Sequence, residues 1–237
     1  MKQYDNIEMN TIMSSRNSLG QPSDRILITS GPTREYLDPV RFLTNGSSGK
    51  MGAALARAAL DAGFAVTIVS GPVAIEYPGK AEVVFVTSTD EMLEQCVRIF
   101  PQCVGVIGAA APCDYRPKTT AFHKLSKQDY SSMTVELVET PDVMATLGKM
   151  KLSHQWAVPF ALETKENAAS RAIEKLQRKN GDLIVLNGPD AMFGDSTHVE
   201  IFDRSGKKLK TVCNTKDIAA SEILKTIYCN RHHNAPS

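Results

Sequence analysis

The sequence predicts an α/β fold in which a parallel central sheet is flanked by helices. Three observations predict it. Short apolar runs alternate along the chain with longer segments of helical period. Within these runs the apolar residues are continuous, which is typical of parallel strands that are buried on both faces. The chain has 237 residues, which is enough for one domain with a sizeable core.

The first half of the chain follows the strand–helix–strand order most regularly. In the first helix, Met51 and Leu55 lie on one apolar face. In the second helix, Ser88 or Thr89 caps the N-terminus, and Glu91 is placed to complete a capping box. The predicted elements here are strand 26–30, helix 50–62, strands 65–70 and 83–86, helix 88–100 and strand 104–111.

The second half continues the alternation less regularly. Residues 133–138 alternate between apolar and polar side chains and predict a strand. Pro141 stands in the first turn of a predicted helix at 141–150. The other predicted elements are strand 157–162, helix 165–179, strand 182–186, an antiparallel hairpin of 199–202 with 208–212, and a terminal helix at 217–228.

Composition excludes several classes of protein. The net charge of +1 does not predict a nucleic-acid partner, and no apolar run approaches the ~20 residues of a membrane span. The five cysteines are scattered and include no Cys-x-x-Cys pair, which fits a reducing cytoplasm better than a disulfide or zinc framework. Residues 1–24 and 229–237 are polar and aperiodic, so we expect flexible tails around a domain at 25–228.

The most informative segment is the polar, glycine-rich connection at 29–52, between the first strand and the first helix. A helix N-terminus presents unpaired N–H groups and partial positive charge, so such a connection predicts an anion site. It is not a P-loop, because Thr44 and Met51 stand where that pattern needs Gly and Ser or Thr. It contains no G-x-G-x-x-G turn either. A purely structural connection is the alternative.

Polar residues also follow the other predicted strands. They stand at 114–116, 140–142, 163–164 and 187–188. The carboxyl ends of parallel strands meet at one edge of a sheet, where open α/β sheets bind ligands. The sequence therefore predicts one composite site at that edge.

Several motifs carry a family resemblance. Ser30-Gly-Pro-Thr-Arg-Glu35, Asp38-Pro-Val-Arg41 and Asn45-Gly-Ser-Ser-Gly-Lys-Met-Gly52 resemble the opening segment of phosphopantothenoylcysteine synthetases, a family of coenzyme A biosynthetic ligases. The segments 108–117, 140–144 and 159–164 resemble later motifs of the same family. Departures are Pro112-Cys113 for Val-Ala, Ser126 for the middle lysine of a Lys-x-Lys-Lys flap, and Pro159 and Leu162 for Gly and Ala.

The resemblance implies a Rossmann-like sheet, an antiparallel element around 116–138 that pairs two chains into a homodimer, and a lysine-bearing flap. It implies ligation of 4′-phosphopantothenate to L-cysteine through an acyl nucleotidylate, driven by a nucleoside triphosphate with Mg²⁺. CTP is favoured over ATP, because the motifs match the bacterial pattern. A stand-alone, cytoplasmic synthetase without a nucleic-acid or membrane partner is expected.

The resemblance also assigns residues. Asn45 would hold the substrate carboxylate and the acyl intermediate, and Lys124 would close over the intermediate. Independently of the resemblance, Arg41 stands four residues before Asn45, and its guanidinium is suited to bind a phosphate or carboxylate. The ligands of Mg²⁺ stay unassigned. The nucleotide contacts would come from Gly108, Ala109, Ala110, Asp114, Pro141, Asp142, Val143, Met144, Phe160, Lys175 and Lys179.

Simpler interpretations stay open for most of these residues. Asn45 is also placed to cap the following helix, and Arg41 and Lys124 would be ordinary surface charges. Lys175 and Lys179 share a helix face that would simply be solvated. A nicotinamide-dependent reductase is a second reading, although Ser70-Gly71 stands where its acidic residue should be. A non-catalytic nucleotide-sensing module is a third.

Overall fold

The computed structural model describes residues 24–127, 132–164, 166–188 and 194–233. The strands are β1 (Arg25–Ser30), β2 (Arg34–Tyr36), β3 (Phe42–Thr44), β4 (Ala65–Ser70), β5 (Glu82–Phe85), β6 (Gly105–Gly108), β7 (Tyr115–Pro117), β8 (Leu137–Glu139), β9 (Trp156–Leu162), β10 (Leu183–Asn187), β11 (Ser196–Asp203) and β12 (Lys208–Thr215). The helices are α1 (Lys50–Asp61), α2 (Thr89–Ile99), α3 (Val143–Met150), α4 (Ala168–Arg178) and α5 (Lys216–His233). A short 3₁₀ turn, Phe100–Gln102, follows α2.

Eight strands form the main sheet, in the order β12-β11-β10-β9-β6-β1-β4-β5. The six strands from β10 to β5 are parallel, and β11 and β12 are added antiparallel at one edge. Along the chain, β4 and β5 are added on one side of β1, and β6, β9 and β10 are then added on its other side. The order therefore reverses between β1 and β6, which is where Rossmann-like sheets bind their ligands. The predicted fold class is confirmed.

Alternate residues of β1 point into two separate cores. Ile26 and Ile28 pack in the core that includes α1 and α5, whereas Leu27 packs in the core that includes α2 and α3. All three side chains are fully buried, as the period of two along a strand predicts for a sheet covered on both faces. Apolar residues of α4 close a third cluster against β10.

The N-terminal cap of α2 is the predicted one. The Ser88 hydroxyl accepts a hydrogen bond from Glu91 N at 3.2 Å. The Glu91 carboxylate accepts from Thr87 N, one residue before the position that a standard capping box uses.

Some boundaries differ from the prediction. Within 133–138 only the end is strand, and β8 pairs antiparallel with β7 in a separate two-stranded ladder. The alternating side chains before it are exposed and have no strand beside them in the described chain. The predicted hairpin is longer on both sides and joins the main sheet. Helix α3 begins after the N-cap Asp142, so Pro141 precedes its first turn.

The ends of the chain are only partly described. Helix α5 continues to His233, five residues beyond the predicted end of the domain. The predicted N-terminal tail lies outside the described residues, except for Asp24. All five cysteines are free thiols, of which Cys96, Cys103 and Cys113 are buried. Within the described ranges, no helix combines the length and apolar character that a membrane crossing requires.

Candidate active site at the carboxyl ends of the strands

The glycine-rich connection at 29–52 is more ordered than the sequence alone predicts. Its first part folds into the β2–β3 hairpin, in which Arg34 pairs with Thr44. Asp38 lies in the turn with a fully buried side chain, and its Oδ1 accepts from the N–H groups of Val40 and Arg41 at 2.8 Å. The connection therefore begins with a small hydrogen-bonded hairpin after β1.

Helix α1 begins with an uncapped N-terminus. Its N-cap is Gly49, with φ at 75°, which has no side chain to cap the first turn, and the neighbouring Ser48 hydroxyl accepts from Lys50 N only at a long 3.5 Å. The first turn contains no acidic residue. The simpler interpretation of Asn45 as the cap is therefore wrong. An uncapped helix start favours a negative group because its N–H groups have no intrahelical acceptors.

Asn45 instead joins two loops. Its side-chain amide donates to the carbonyls of Pro112 and Ala111, at 2.8 and 3.3 Å. These carbonyls belong to the small-residue loop after β6. Asn45 therefore lies where the glycine-rich connection meets the Ala-rich loop, at the point where the strand order reverses.

Two adjacent cavities open at this edge of the sheet. Cavity 1 has a volume of about 200 Å³ and cavity 2 about 220 Å³. Both touch Ala110, Phe160 and Leu162, so a single extended ligand can reach from one into the other. Cavity 1 is lined by the start of α1 together with Ala109, Asn187 and Lys216. Cavity 2 is lined by ten of the predicted nucleotide-contacting residues, which are Gly108, Ala110, Asp114, Pro141, Asp142, Val143, Met144, Phe160, Lys175 and Lys179.

Asp142 has a structural role as well as a place in cavity 2. Its Oδ1 caps α3 by accepting from Ala145 N at 2.9 Å, and both carboxylate oxygens lie 2.7 Å from Lys179 Nζ. Burial opposes the charged form. Hydrogen bonds and charge from Lys179, with the Ala145 N–H, outweigh burial and hold the pKa of Asp142 below its ordinary value. Lys179 thus extends from the end of α4 into the cavity wall.

The second predicted lysine also has a carboxylate partner. Lys175 Nζ lies 2.6 Å from Oε1 of Glu163, and Arg171 Nε lies 3.0 Å from Oε2. Glu163 is buried at the end of β9. The pairing Lys–carboxylate therefore occurs twice along α4, and both lysines line cavity 2. These cations are held in place by the protein, which argues against the interpretation as a freely solvated helix face.

The flap is the predicted segment 116–132, of which residues 128–131 lie outside the description. The backbone of Leu125 in this segment is hydrogen-bonded to the β2–β3 turn. Its N–H donates to Asp38 Oδ2 at 3.2 Å, and its carbonyl accepts from Arg41. Arg41 also lies 3.6 Å from Asp38. Arg41 is thus placed against the flap backbone, and it lines neither cavity. Lys124 is exposed, and its side chain forms no ion pair with the described residues.

A buried polar network that the sequence analysis missed fixes the wall of cavity 2. Thr33 Oγ1 accepts from Cys113 N and shares a hydrogen bond with Thr89 Oγ1, both at 2.8 Å. Glu35 accepts from Thr89 N, also at 2.8 Å. The motif 30–35 therefore ties the loop after β6 to the start of α2. The spacing gave no signal for this, because the partners are 56 and 80 residues apart in sequence.

Cys113, which replaces alanine in the family pattern, is a buried wall residue. Its Sγ lies 3.6 Å from the Thr33 carbonyl oxygen, and burial raises the pKa of the thiol. A thiol with a raised pKa is a poor nucleophile at neutral pH. The substitution therefore places a buried thiol in the wall of cavity 2.

The described side chains do not form a metal-binding site on their own. The described residues contain no group of three or more His, Cys, Asp or Glu side chains that could hold one. Asp114 lines cavity 2, and its carboxylate has no partner within the described chain. Mg²⁺ in nucleotide sites is commonly bound by one or two carboxylates together with phosphate oxygens. Asp114 fits that pattern as a single protein ligand.

Comparisons with known proteins agree with this geometry. A family model described as the DNA/pantothenate metabolism flavoprotein C-terminal domain matches residues 22–229. The coenzyme A biosynthesis bifunctional protein CoaBC of Bacillus subtilis (strain 168) is 44% identical over 207 residues, which cover 85% of this chain and 50% of that protein. A cysteine/cysteine sulfinic acid decarboxylase from an unknown prokaryotic organism is 43% identical over 208 residues, covering 86% and 57%. The chain spans about half the length of these curated relatives.

Solved structures give the same result. The crystal structure of the C-terminal domain of a CoaBC protein superposes with a TM-score of 0.76 at 40% identity, covering 89% of this chain and 97% of that one. A Cab2 mutant in complex with phosphopantothenate-cysteine has a TM-score of 0.72 at 18% identity, covering 97% and 95%, and shows the shared fold. The chain, with its Rossmann-like sheet and two joined cavities, belongs to the DNA/pantothenate metabolism flavoprotein C-terminal domain family.

Proposed function

We propose that this protein joins 4′-phosphopantothenate to L-cysteine through an acyl-nucleotidylate intermediate. The observation that carries the proposal is the pair of joined cavities at the point where the strand order reverses. One cavity is walled by the nucleotide motifs and the other by an uncapped helix start with two lysines. CoaBC relatives, named for coenzyme A biosynthesis, support the choice of substrates.

The reaction proceeds in two steps. A carboxylate oxygen of 4′-phosphopantothenate attacks the α-phosphorus of the triphosphate, and pyrophosphate leaves. The cysteine amine then attacks the acyl carbon, loses a proton and expels the nucleoside monophosphate. Neither step needs a protein nucleophile, so the protein contributes chiefly position and charge stabilisation.

Cavity 2 would hold the nucleotide. Its small residues Gly108 and Ala110 allow a base to approach the backbone closely, and Lys175 and Lys179 would turn from their carboxylates toward the triphosphate. Each lysine already stands 2.6 to 2.7 Å from an anionic oxygen, so phosphate oxygens would replace an existing kind of contact. Mg²⁺, which would come with the triphosphate and neutralise part of its charge, would use Asp114 as a protein ligand.

Two residues would act at the acyl centre, and a third would position the flap. Asn45 lies at the junction of the two loops and would hold the substrate carboxylate and the intermediate. Lys124, on the flap, would close over the intermediate and stabilise charge during attack by cysteine. Arg41 would position the flap through Leu125, since its guanidinium already bonds that carbonyl.

We further propose CTP as the preferred triphosphate, a homodimeric assembly through 116–138 and a cytoplasmic location. Pyrophosphate release, measured with 4′-phosphopantothenate, cysteine and CTP, ATP, GTP or UTP in turn, tests the nucleotide. We expect clear preference for CTP. Equal rates with ATP, or faster release with ATP, would contradict that choice. Release in the absence of 4′-phosphopantothenate would contradict the ligase function itself.

A further inference from the structure

The connection between β4 and β5, residues 71–81, packs directly on the start of α1. A Cβ atom on Gly49, where φ is 75°, would lie 2.9 Å from Val73 Cγ1 and 3.3 Å from the Tyr77 hydroxyl. Contacts this close leave no room for a side chain at Gly49. The helix start that lines cavity 1 is therefore in contact with a connection that the sequence analysis did not place in the site.

Tyr77 joins the ends of two neighbouring strands. Ser30 and Ser70 are the last residues of β1 and β4, are paired in register and are fully buried. The Tyr77 hydroxyl donates to Ser30 Oγ at 2.8 Å and lies 2.7 Å from Ser70 Oγ. The three hydroxyls therefore form one hydrogen-bonded group at the carboxyl ends of β1 and β4.

This hydroxyl group acts on α1 through the Gly49 carbonyl. A hydroxyl carries one proton, and because Ser30 accepts the proton of Tyr77, its own proton is directed to Gly49 O, at 3.3 Å. The same carbonyl accepts from Ala53 N at 3.0 Å, in the first turn of α1. The Gly49 carbonyl is thus held both by the end of a strand and by the helix itself.

Holding this carbonyl also fixes the N–H group of the next residue. A trans peptide unit is planar, and its C=O and N–H point in opposite directions. The Gly49 carbonyl points along α1, so the Lys50 N–H points out of the helix start. Both residues line cavity 1, and the contact of Lys50 N with the Ser48 hydroxyl is long, at 3.5 Å. A contact of that length leaves the Lys50 N–H able to donate to an anionic ligand.

We propose that Tyr77 is a positioning residue, whose hydroxyl orients the Gly49–Lys50 peptide toward the acid substrate in cavity 1. The assignment of the acid to cavity 1 rests on the proposed function, in which the nucleotide occupies cavity 2. Tyr77 lines neither cavity, so it acts through Ser30 and does not touch the substrate. An N–H group that is oriented in advance binds an anion without the cost of ordering it during binding.

The test compares wild type with Tyr77→Phe, which keeps the ring and removes only the hydroxyl. The variant should fold, because Ser30 and Ser70 each keep a backbone carbonyl as acceptor. Tyr228→Phe is the matched control, since Tyr228 is also half-buried but lines a different cavity, beside Trp156 at the amino end of β9. Pyrophosphate release would measure kcat and the KM for 4′-phosphopantothenate, CTP and cysteine.

We expect Tyr77→Phe to raise the KM for 4′-phosphopantothenate about 5- to 10-fold, the usual effect of one hydrogen bond. The kcat and the KM for CTP and cysteine should stay close to wild type, because only binding of the acid is affected. Tyr228→Phe should match wild type in every constant. An unchanged KM for the acid would overturn the proposal. A change in all the constants together would show that Tyr77 only supports the fold, and would overturn it as well.

Ser30→Ala tests whether Tyr77 acts through Ser30. Both side chains belong to one chain of hydrogen bonds that ends on the Gly49 carbonyl, so their effects should not add. The double variant should therefore raise the KM for the acid no further than Ser30→Ala alone. Increases that multiply in the double variant would show that Tyr77 acts by another route, and would overturn the proposed mechanism.

Hydrogen exchange at the start of α1 does not depend on the proposed function. The Ala53 amide, which donates to the Gly49 carbonyl, should exchange faster in Tyr77→Phe than in wild type or Tyr228→Phe. Unchanged exchange of this amide would overturn the role of Tyr77. If wild type releases no pyrophosphate with 4′-phosphopantothenate and any triphosphate, the ligase function fails, but the exchange result still decides whether Tyr77 holds the helix start. The two failures are therefore distinguishable.

Discussion

At the residue scale, Lys124 is the side chain whose role can be separated most cleanly from binding. It stands beside Leu125, whose N–H donates to Asp38 and whose carbonyl accepts from Arg41. The flap base is thus fixed, and the exposed Lys124 side chain is presented from a defined position. A charge delivered in this way is suited to the second half-reaction, after the nucleotide has reacted.

We therefore expect Lys124→Gln to form the acyl nucleotidylate but to react slowly with cysteine. Loss of one charge-stabilising donor typically lowers the rate about 100- to 1000-fold. Single-turnover mixtures with and without cysteine, analysed by mass spectrometry, would show the intermediate accumulating. Lys118→Gln, whose exposed lysine pairs with Glu136, is the control. A Lys124→Gln protein that makes product at the wild-type rate would show that Lys124 is only a surface charge.

Asp142 links the nucleotide site to stability. Its folded-state pKa is lowered, so its ion pair with Lys179 stabilises the fold above the unfolded-state pKa, and this contribution is lost as pH falls through the lowered folded pKa. Asp142→Asn should therefore lower Tm at pH 7, and the difference from wild type should shrink below about pH 4. Circular dichroism from pH 7 to pH 3 measures this, with the exposed Glu174→Gln as control. A difference that does not vary with pH would contradict the ionic explanation.

How much of the site is predictable differs from residue to residue. Lys175, Lys179 and Asp142 stand in or beside motifs of fixed spacing, and the structure places them around one cavity. Lys216 could not be found in this way, because it follows an edge strand and approaches the cavity only once β10, β11 and β12 are assembled. Thr33 stands in a motif, but its role depends on contacts with residues 56 and 80 positions away.

At the scale of elements, the close approach of α1 to the end of β1 positions the helix N-terminus. A Cβ on Gly52 would lie 2.1 Å from Ser30 Oγ. The Ser30 hydroxyl cannot easily move away, since it is buried, donates to the Gly49 carbonyl at 3.3 Å and accepts from the Tyr77 hydroxyl at 2.8 Å. Only glycine therefore lets the helix start sit directly beside the strand end.

Gly52→Ala should destabilise the protein by about 1–3 kcal/mol, the usual cost of overpacking, which exceeds the gain of about 1 kcal/mol in helix propensity. Gly79→Ala is the matched control, because a Cβ there meets nothing within 4 Å, and it should be neutral or slightly stabilising. Urea unfolding of the two variants measures the difference. Equal stability of Gly52→Ala and wild type would mean that α1 moves freely against β1.

Elements buried on both faces were the most predictable, because their continuous apolar runs have one interpretation. β1 and β4 match the predicted strands within one residue at each end. The alternating stretch 133–138 was less predictable. Its period of two does not reveal whether a partner strand exists along its whole length, and only Leu137–Glu139 pairs with β7. The end of α5 was missed because its last turns are polar and resemble a tail.

At the scale of the whole molecule, the β7–β8 ladder presents the apolar surface best suited to a second chain. Tyr115, Met133, Val135 and Leu137 are each between 36% and 50% exposed and lie in one short stretch of the fold. Clusters of exposed apolar residues beside a two-stranded ladder are typical of interaction surfaces.

We expect light scattering at micromolar concentration to give twice the chain mass of 25.9 kDa. Leu137→Arg should shift the protein toward monomer, because a charge would be buried in the interface. Leu152→Arg, at an apolar residue of similar exposure before β9, should leave the mass unchanged. A wild-type protein that is monomeric under these conditions would contradict the proposed assembly.

The central claim is that the two cavities together make an acyl nucleotidylate and then pass its acyl group to cysteine. The most direct test is a single-turnover reaction of the wild-type protein with 4′-phosphopantothenate, CTP and Mg²⁺, without cysteine, followed by mass spectrometry. The account predicts a species with the mass of phosphopantothenoyl cytidylate, one pyrophosphate released per species formed, and its conversion to phosphopantothenoylcysteine and CMP when cysteine is added. Release of CDP and phosphate in place of pyrophosphate, or no adduct with any of the four triphosphates, would contradict it.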